Sequence, residues 1–556
     1  MNELKPQLLR SLQSYSKEKF IKDLIAGVIV AIIALPLSIA LALASGVSPE
    51  QGLYTAIIAG FLISALGGSK VQIAGPTAAF ATIVAGIVAR NGMEGLAVAT
   101  ILAGILLVLM GLLRMGSMIK FIPYTITTGF TAGIAVTIFI GQVKDFLGLT
   151  FETAPIETIE KAEQIVSCFD TLNPAALAVG SGALAILILW PRLFQKIPAS
   201  LIAVIATAGA VELFQLPVNT IGDLYTISSA LPAFRVPAVS YDVVAAVLPD
   251  AFTIAILAAI ESLLSCVVAD EMIHARHNSN MELVAQGAGN AASALFGGIP
   301  ATGAIARTAA NVKNGGVSPV AGMVHAVVLL LVLALLMPYA ALIPMPCIAA
   351  ILFQVAYNMS GWRKVVDVVK HSPKSDTAVL VLTFFLTVVF DLVVAIAVGL
   401  TLACLLFMKR MADVAVVKEW DYVEDTNDSQ GRLKPVPPHV MVYEVTGPMF
   451  FGAADKIPHM DRDTSKNVLV IRMRAVPALD ITALNSLSRL WQECRRKDIQ
   501  VVFSHVNEQP MSVFQKSGLY DQVGGEFFQP NIDAALEKAL ELAKVRPLDE
   551  SKECLP

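Results

Sequence analysis

Between residue 23 and about residue 412 the chain is a series of long apolar runs broken by brief polar stretches. A run of ~20 apolar residues is what carries an α-helix across a ~30 Å hydrocarbon core. Fourteen such spans can be marked: 23–46, 50–67, 76–90, 93–114, 117–143, 174–191, 198–214, 243–269, 280–297, 303–314, 317–337, 339–357, 375–391 and 392–412. Past 412 the pattern changes. A linker over 413–436 contains the polar run 424–431. Strands are then predicted at 439–446, 467–472 and 499–504, and helices at 480–496, 509–518 and 531–545. The chain therefore reads as an N-terminal segment (1–22), a polytopic α-helical membrane domain (23–412), the linker, a small α/β domain (437–545) and a tail (546–556).

Composition agrees with that division. The chain is 56% hydrophobic and 15% charged, whereas soluble domains carry about 25% charged residues. The first twenty residues are polar and basic, and the apolar stretch after them is too long for a leader peptide, so it is read as the first span. No basic cluster lies outside the membrane-flanking loops, which argues against nucleic acid as a partner. Cys168, Cys266, Cys347, Cys404, Cys494 and Cys554 show neither pairing nor metal-ligand spacing and read as apolar fillers or free thiols. The tail domain has no Gly-rich phosphate loop and no nucleophile elbow, so neither an enzyme nor a bound cofactor is expected.

An even number of spans puts both ends on one side, and positive charge identifies that side as cytoplasmic. Lys17, Lys19, Lys22, Lys70, Arg114, Lys120, Arg192, Lys196, Arg276, Arg363, Lys364, Lys409 and Arg410 all fall at ends placed inside. The loop 145–173, placed outside, carries Glu152, Glu157, Glu160 and Glu163.

Two spans are abnormal. The third opens Gln72-Ile73-Ala74-Gly75-Pro76-Thr77-Ala78-Ala79 and the tenth opens Gly297-Gly298-Ile299-Pro300-Ala301-Thr302-Gly303-Ala304. Interrupted spans at corresponding positions of two halves point to a midplane binding site. Phe121-Ile122-Pro123 at span five echoes Leu342-Ile343-Pro344 at span twelve, seven spans on. Spans three and ten run in opposite directions, so their N-terminal ends can meet. Each presents free amides and about half a positive charge, which suits an anion. Thr77, Ala78 and Ala79 line one end; Gly303, Ala304, Ile305 and Ala306 line the other.

Charge within the spans adds to this. Glu261 lies in the middle of span eight, where an ionisable residue costs ~2.5–3.5 kcal/mol to insert and so faces a cavity. Ser262 and Ser265 supply oxygens nearby, Ser265 one turn along. A carboxylate with hydroxyls on one face suits a proton or a sodium ion. Arg307, one turn into span ten, either snorkels to the interface, pairs with Glu261 or attracts the anion. An interior-negative potential opposes each anionic charge by ~2.3 kcal/mol per 100 mV, so accumulation needs a co-transported cation or exchange. His274, Arg276 and His277 read as a solvated loop, His325 as a hydrogen-bonded core histidine, and Pro36 as a kink in span one beside Leu37, Ser38 and Leu41.

These residues resemble the sulfate permease (SulP) family of anion transporters over nearly the whole chain. The resemblance rests on Ser48-Pro49-Glu50-Gln51-Gly52-Leu53-Tyr54, on Gly75-Pro76-Thr77 and on Ala304-Ile305-Ala306-Arg307-Thr308, with a tail similar to a STAS domain. It implies seven-plus-seven inverted repeats, with a core of spans 1–4 and 8–11 moving against a gate of spans 5–7 and 12–14. It also implies an anion between spans three and ten at Thr77, Gly303, Ala304 and Ile305, and a homodimer. Glu261 and Ser265 match the coupling-ion position. Sodium-coupled bicarbonate members carry Asp and Thr there, and a Thr where this chain has Ile305. That loss of a hydroxyl favours protons over sodium, as in bacterial inner-membrane members, some of which carry C4-dicarboxylates. Asp480-Ile481-Thr482-Ala483 resembles a turn phosphorylated in signalling STAS proteins, with Ile481 and Ala483 departing from it; Thr482 keeps a hydroxyl at the helix start, as an N-cap or a regulatory site. The expected activity is proton-coupled symport of sulfate, bicarbonate or a C4-dicarboxylate. Sodium-coupled bicarbonate symport, an exchanger or channel, and a sensor acting through a cytoplasmic partner of the STAS domain remain open.

Overall fold

The computed structural model describes residues 4–117, 123–152, 155, 157–194, 197–390, 392–424, 433–457 and 466–544. Lys120, Lys196, Phe121, Ile122, the run 425–431, Cys554 and the tail 546–556 lie outside the described residues. The chain forms two units, Met1–Thr401 and Leu402–Pro556.

Every expected span is a helix. Span one is Lys17–Ala44, started by Ser16, whose side chain accepts from the Lys19 amide; it continues unbroken through Pro36. Span two, Pro49–Leu66, begins with a capping box between Ser48 and Gln51 and a proline at its first turn. Spans three and four lie within Ala78–Leu112, divided where Gly92 takes φ 67° and ψ −174°. Spans five to seven are Tyr124–Leu147, Pro174–Leu193 and Ala199–Phe214. Spans eight to eleven are Tyr241–Ile273, Ser279–Leu295, Ile305–Lys313 and Val320–Ala340. Spans twelve to fourteen are Met345–Ser360, Lys374–Val389 and Leu392–Val414. Spans five and twelve both start from a proline, Pro123 and Pro344, the described part of the internal echo. Among the described residues, seven helices are long and apolar enough to cross a membrane by themselves. The other spans are shorter, or meet that standard only where two spans run on together.

The loops hold more structure than their polarity predicted. Short helices occupy Gln7–Leu12, Thr158–Ser167, Ile221–Leu224 and Trp362–His371. His277 is not simply solvated: its amide and Nδ1 bond Asp270 Oδ2, the ring nitrogen at 2.7 Å.

Within the membrane unit, spans one to four pack with eight to eleven, span five packs with twelve and thirteen, span six with twelve, and span seven mainly with six. Small residues allow the closest approaches. A Cβ at Gly104 would stand 2.7 Å from the Gly287 carbonyl, and one at Gly287 would stand 2.4 Å from the Gly104 carbonyl, bringing spans four and nine backbone to backbone. Gly52 likewise lies against the Ser38 carbonyl, where a Cβ would be 2.2 Å away.

The second unit carries a five-stranded sheet. β1 (Ala74–Gly75) and β2 (Thr302–Gly303) belong to the membrane unit. Here β3 is Val416–Glu419, β4 Tyr422–Glu424, β5 Leu433–Pro435, β6 Val440–Thr446, β7 Val468–Ala475, β8 Gln500–Ser504 and β9 Phe528–Gln529. The sheet order is β3-β6-β7-β8-β9, with β3 antiparallel and the other neighbours parallel. Alternate side chains bury against opposite faces. Val440, Val442, Val468, Val470 and Val502 meet helix Ile532–Lys544. Met441, Leu469, Ile471, Val501 and Phe503 meet helices Ile481–Arg496 and Glu508–Lys516. The expected linker is thus partly structure: β3 pairs Val416–Glu419 with Tyr443–Thr446, because its backbone groups need a ladder partner.

Candidate anion and coupling-ion site

The two interruptions follow from local sterics. Proline supplies no amide and drives the residue before it out of the α region, so the chain stays extended through Gly75-Pro76. Thr77 keeps extended angles (φ −127°, ψ 157°) and the helix begins at Ala78. At the other break Gly297 takes φ 75°, the chain runs extended past Pro300, and Ala304 (φ −92°, ψ 107°) precedes the helix.

The extended pieces find each other. β1 (Ala74–Gly75) pairs antiparallel with β2 (Thr302–Gly303), in register Ala74↔Gly303 and Gly75↔Thr302. The Ala304 amide donates to the Ile73 carbonyl at 2.8 Å. Glycine is required on both strands: a Cβ at Gly75 would meet Arg307 Nη1 at 2.4 Å, and one at Gly303 would meet Gln72 Nε2 at 2.1 Å. The starts of spans three and ten are therefore neighbours. Neither Thr77 nor Ala304 caps its helix with a side chain, which leaves first-turn amides free for a ligand.

Span eight crosses beside this pair. Thr77 Oγ1 donates to Glu261 Oε2 at 2.9 Å, and both residues are partly exposed. Ile305 (42% exposed) and Ala306 are open, whereas Ala78, Ala79, Gly303 and Ala304 are buried and can offer a ligand only backbone. Ser262 Oγ accepts from the Gly303 amide at 3.0 Å and lies 2.7 Å from Thr302 Oγ1, which fixes β2 to span eight.

Ser265 is fully buried and donates to Thr308 Oγ1 at 3.3 Å, an oxygen that also receives the Ile73 amide, while its own oxygen keeps its lone pairs. Two expectations need correction. Arg307 neither snorkels nor pairs with Glu261. It is 1% exposed and donates from Nη2 to the Pro76 carbonyl at 3.1 Å, with Nε and Nη1 unpartnered among the described residues. Its stem is too deeply packed to reach an interface, so its charge stays directly behind the crossing. His325 is buried as expected, yet neither ring nitrogen finds a hydrogen bond among the described residues.

In the tail domain, Asp480 rather than Thr482 caps helix Ile481–Arg496. Its Oδ1 accepts from the Ala483 amide at 2.8 Å and its Oδ2 from the Phe451 amide at 3.0 Å, while Thr482 is exposed.

Sequence reasoning missed a second buried acid. Glu282 of span nine, 1% exposed, accepts from the Gly68 and Ser69 amides at 2.9 and 3.2 Å and from Gln72 and Gln286 Nε2, each at 3.0 Å. Gln72 Oε1 also accepts from the Cys266 thiol. This brace holds the approach to β1, and the rule that singled out Glu261 would have found it.

The sulfate permease family matches residues 20–383, and the STAS domain matches residues 433–539. The chain belongs to the sulfate permease family. It is 41% identical over 530 residues to the candidate sulfate transporter YvdB of Bacillus subtilis, covering 93% of this chain and 97% of that one. It is 30% identical over 536 residues to the bicarbonate transporter BicA of a Picosynechococcus strain, covering 93% and 94%. The solved transmembrane domain of a cyanobacterial BicA superposes with a TM-score of 0.61 at 29% identity, over 72% of this chain and all of that one. Murine Slc26a9 in its inward-facing state superposes at 0.87 with 19% identity, over 97% and 94%, a likeness of fold. As a member of the sulfate permease family, the chain is a multi-pass membrane transporter with a STAS domain, not an enzyme.

Proposed function

We propose that the chain is a proton-coupled symporter of a small anion, drawn from sulfate, bicarbonate and the C4-dicarboxylates. The observation that carries this reading is the hydrogen bond from Thr77 to Glu261, which joins a partly exposed acid to the start of an anion-binding helix. First-turn amides of spans three and ten take the anion, with Thr77, Ala78 and Ala79 on one side and Gly303, Ala304, Ile305 and Ala306 on the other. The charge of Arg307 behind the crossing adds a long-range attraction that no paired carboxylate among the described residues cancels. Glu261 carries the proton, as the ionisable side chain bonded to the start of span three.

The alternative is a sodium-coupled bicarbonate symporter, supported by the relatedness to BicA. Its ligands would be Glu261, Ser265 and Gly303; Ile305, which offers no hydroxyl at the open start of span ten, weighs against it. Alternating access would come from the core (spans 1–4 and 8–11) moving against the gate (spans 5–7 and 12–14). The excess of Lys and Arg at alternate ends supports a bacterial inner-membrane location with both termini cytoplasmic. The family resemblance supports a homodimer, and a STAS domain partner or phosphorylation at the exposed Thr482 belongs to the same reading.

The test is uptake of sulfate, bicarbonate and succinate by the full chain in vesicles, under a proton or a sodium gradient. Accumulation driven by protons and lost in Glu261→Gln is expected. Accumulation that follows sodium, or ignores both gradients, would replace the reading with symport on sodium or with exchange.

A further inference from the structure

Thr77 occupies the N-cap position of span three without performing the usual task of an N-cap. Its side chain accepts no bond from the helix's own amides. It spends its single hydrogen on Glu261 instead, at 2.9 Å. A hydroxyl has one hydrogen and two acceptor lone pairs, while an ionised carboxyl accepts only. As long as Glu261 is ionised, the Thr77 hydrogen is committed to it. The ionised oxygens of an anion at the helix start likewise only accept, and therefore compete for that same hydrogen.

Protonation resolves the competition. One proton from water adds to a Glu261 oxygen and forms an O–H bond, and that O–H donates to Thr77 Oγ1. The threonine hydroxyl rotates about its C–O bond and points its hydrogen at the anion; its own O–H bond stays intact. Release of the anion, followed by loss of the proton to water, reverses each step. We propose that Thr77 is the switch that couples the proton to the anion, through exchange of its one hydrogen between Glu261 and the ligand. This deepens the proton-coupled reading above and rests on it.

The surroundings are compatible. Thr77 and Glu261 are both partly exposed, so a ligand and water can reach them. Charged groups on the elements packed against span eight are Arg90 and Glu94 from spans three and four, Glu282 from span nine, and Arg307 and Lys313 from span ten. Arg90 pairs with Asp250 at 3.1 Å, Glu282 is held by four donors, and Arg307 donates to Pro76. Span eight itself adds Asp242, Asp270 and Glu271, all near its ends. Among the described residues no ion pair reaches Glu261, so its bond with Thr77 is the contact that its protonation rearranges. Ala304, at the equivalent place on span ten, has no hydroxyl and cannot take this part.

The experiment uses the full chain in vesicles and whichever of sulfate, bicarbonate and succinate the wild type accumulates. One pH unit of inward gradient should raise accumulation about tenfold for each coupled proton. Thr77→Val, close in volume but without a hydroxyl, should bind the anion more weakly and show about onefold stimulation by the gradient, whereas Thr77→Ser should keep the stimulation. Stimulation retained in Thr77→Val, or lost in Thr77→Ser, overturns the switch and leaves proton coupling standing. A wild type indifferent to protons defeats the underlying reading first and the switch with it. Should Thr77→Val bind no anion, Thr77→Cys decides: its thiol is a weaker donor, so stimulation below that of Thr77→Ser supports the switch and equal stimulation overturns it.

Discussion

Span three starts after the extended Gly75-Pro76 and presents Thr77, whose hydroxyl is tied to Glu261 of span eight. Span ten reaches the same place through Pro300 and Gly303, presents Ala304 and the open Ile305, and folds Arg307 back to the Pro76 carbonyl. The two backbones are near equivalents, paired strand to strand across the crossing. Their side chains are not. The difference teaches that, on the proposed reading, free amides make a generic anion cradle that either half supplies, while coupling and attraction are assigned separately: the proton side to span three through one hydroxyl, and the fixed positive charge to span ten through one guanidinium.

That comparison can be broken at its shared element first. Gly75→Val and Gly303→Val should each abolish uptake, because even the first added carbon would lie 2.4 Å from Arg307 Nη1 or 2.1 Å from Gln72 Nε2. Overpacking of this kind costs about 1–3 kcal/mol, which a thermal-shift measurement would register. Survival of either variant with normal uptake would mean that the strand pairing is dispensable.

Glu261→Gln tests the span-three side. Its amide can donate permanently to Thr77, so anion binding should become insensitive to pH from about 5 to 8 and proton-driven accumulation should vanish, with exchange of anion for anion retained. In the wild type, binding should weaken as pH rises through the titration of Glu261. Titrations of the anion against both proteins over that range give the comparison. Arg307→Met tests the span-ten side. Loss of the buried charge should weaken anion affinity by about tenfold, or about 1.4 kcal/mol, by the same factor at low and high pH. A change confined to one end of the pH range would show that Arg307 belongs to the coupling machinery after all. The smallest effect is expected from Ile305→Thr, which adds a hydroxyl at the open rim of span ten. Proton-driven uptake should change by less than about threefold and sodium should still give no stimulation, since Glu261 keeps its bond to Thr77. Sodium-stimulated uptake in this variant would show that one oxygen separates the two kinds of coupling.

Glu261 and the paired breaks were legible because each violates a local rule: charge inside an apolar helix, and Gly-Pro inside a span. Glu282 violated the same rule and was passed over, lying near the start of span nine amid polar neighbours. Ser265 shares a helix face with Glu261, yet spacing on one helix could not show that its hydrogen goes to Thr308. The role of Arg307 could not be read from depth alone. Its side chain is long enough to point several ways, and packing around Gly75 selected one of them.

The amino-acid sequence by itself determined where helices start, stop and break, because those events depend on proline sterics, glycine freedom and apolar run length within a few residues. It likewise determined the alternation that buries both faces of the STAS sheet. Tertiary structure alone decided who meets whom. Thr77 and Glu261 are 184 positions apart and Arg307 and Pro76 are 231 apart. β3, only four residues long, joined the sheet by pairing with Tyr443–Thr446. A hydrogen bond is set by ångström-scale placement of two groups, and over such separations that placement is fixed by the packing of the whole unit.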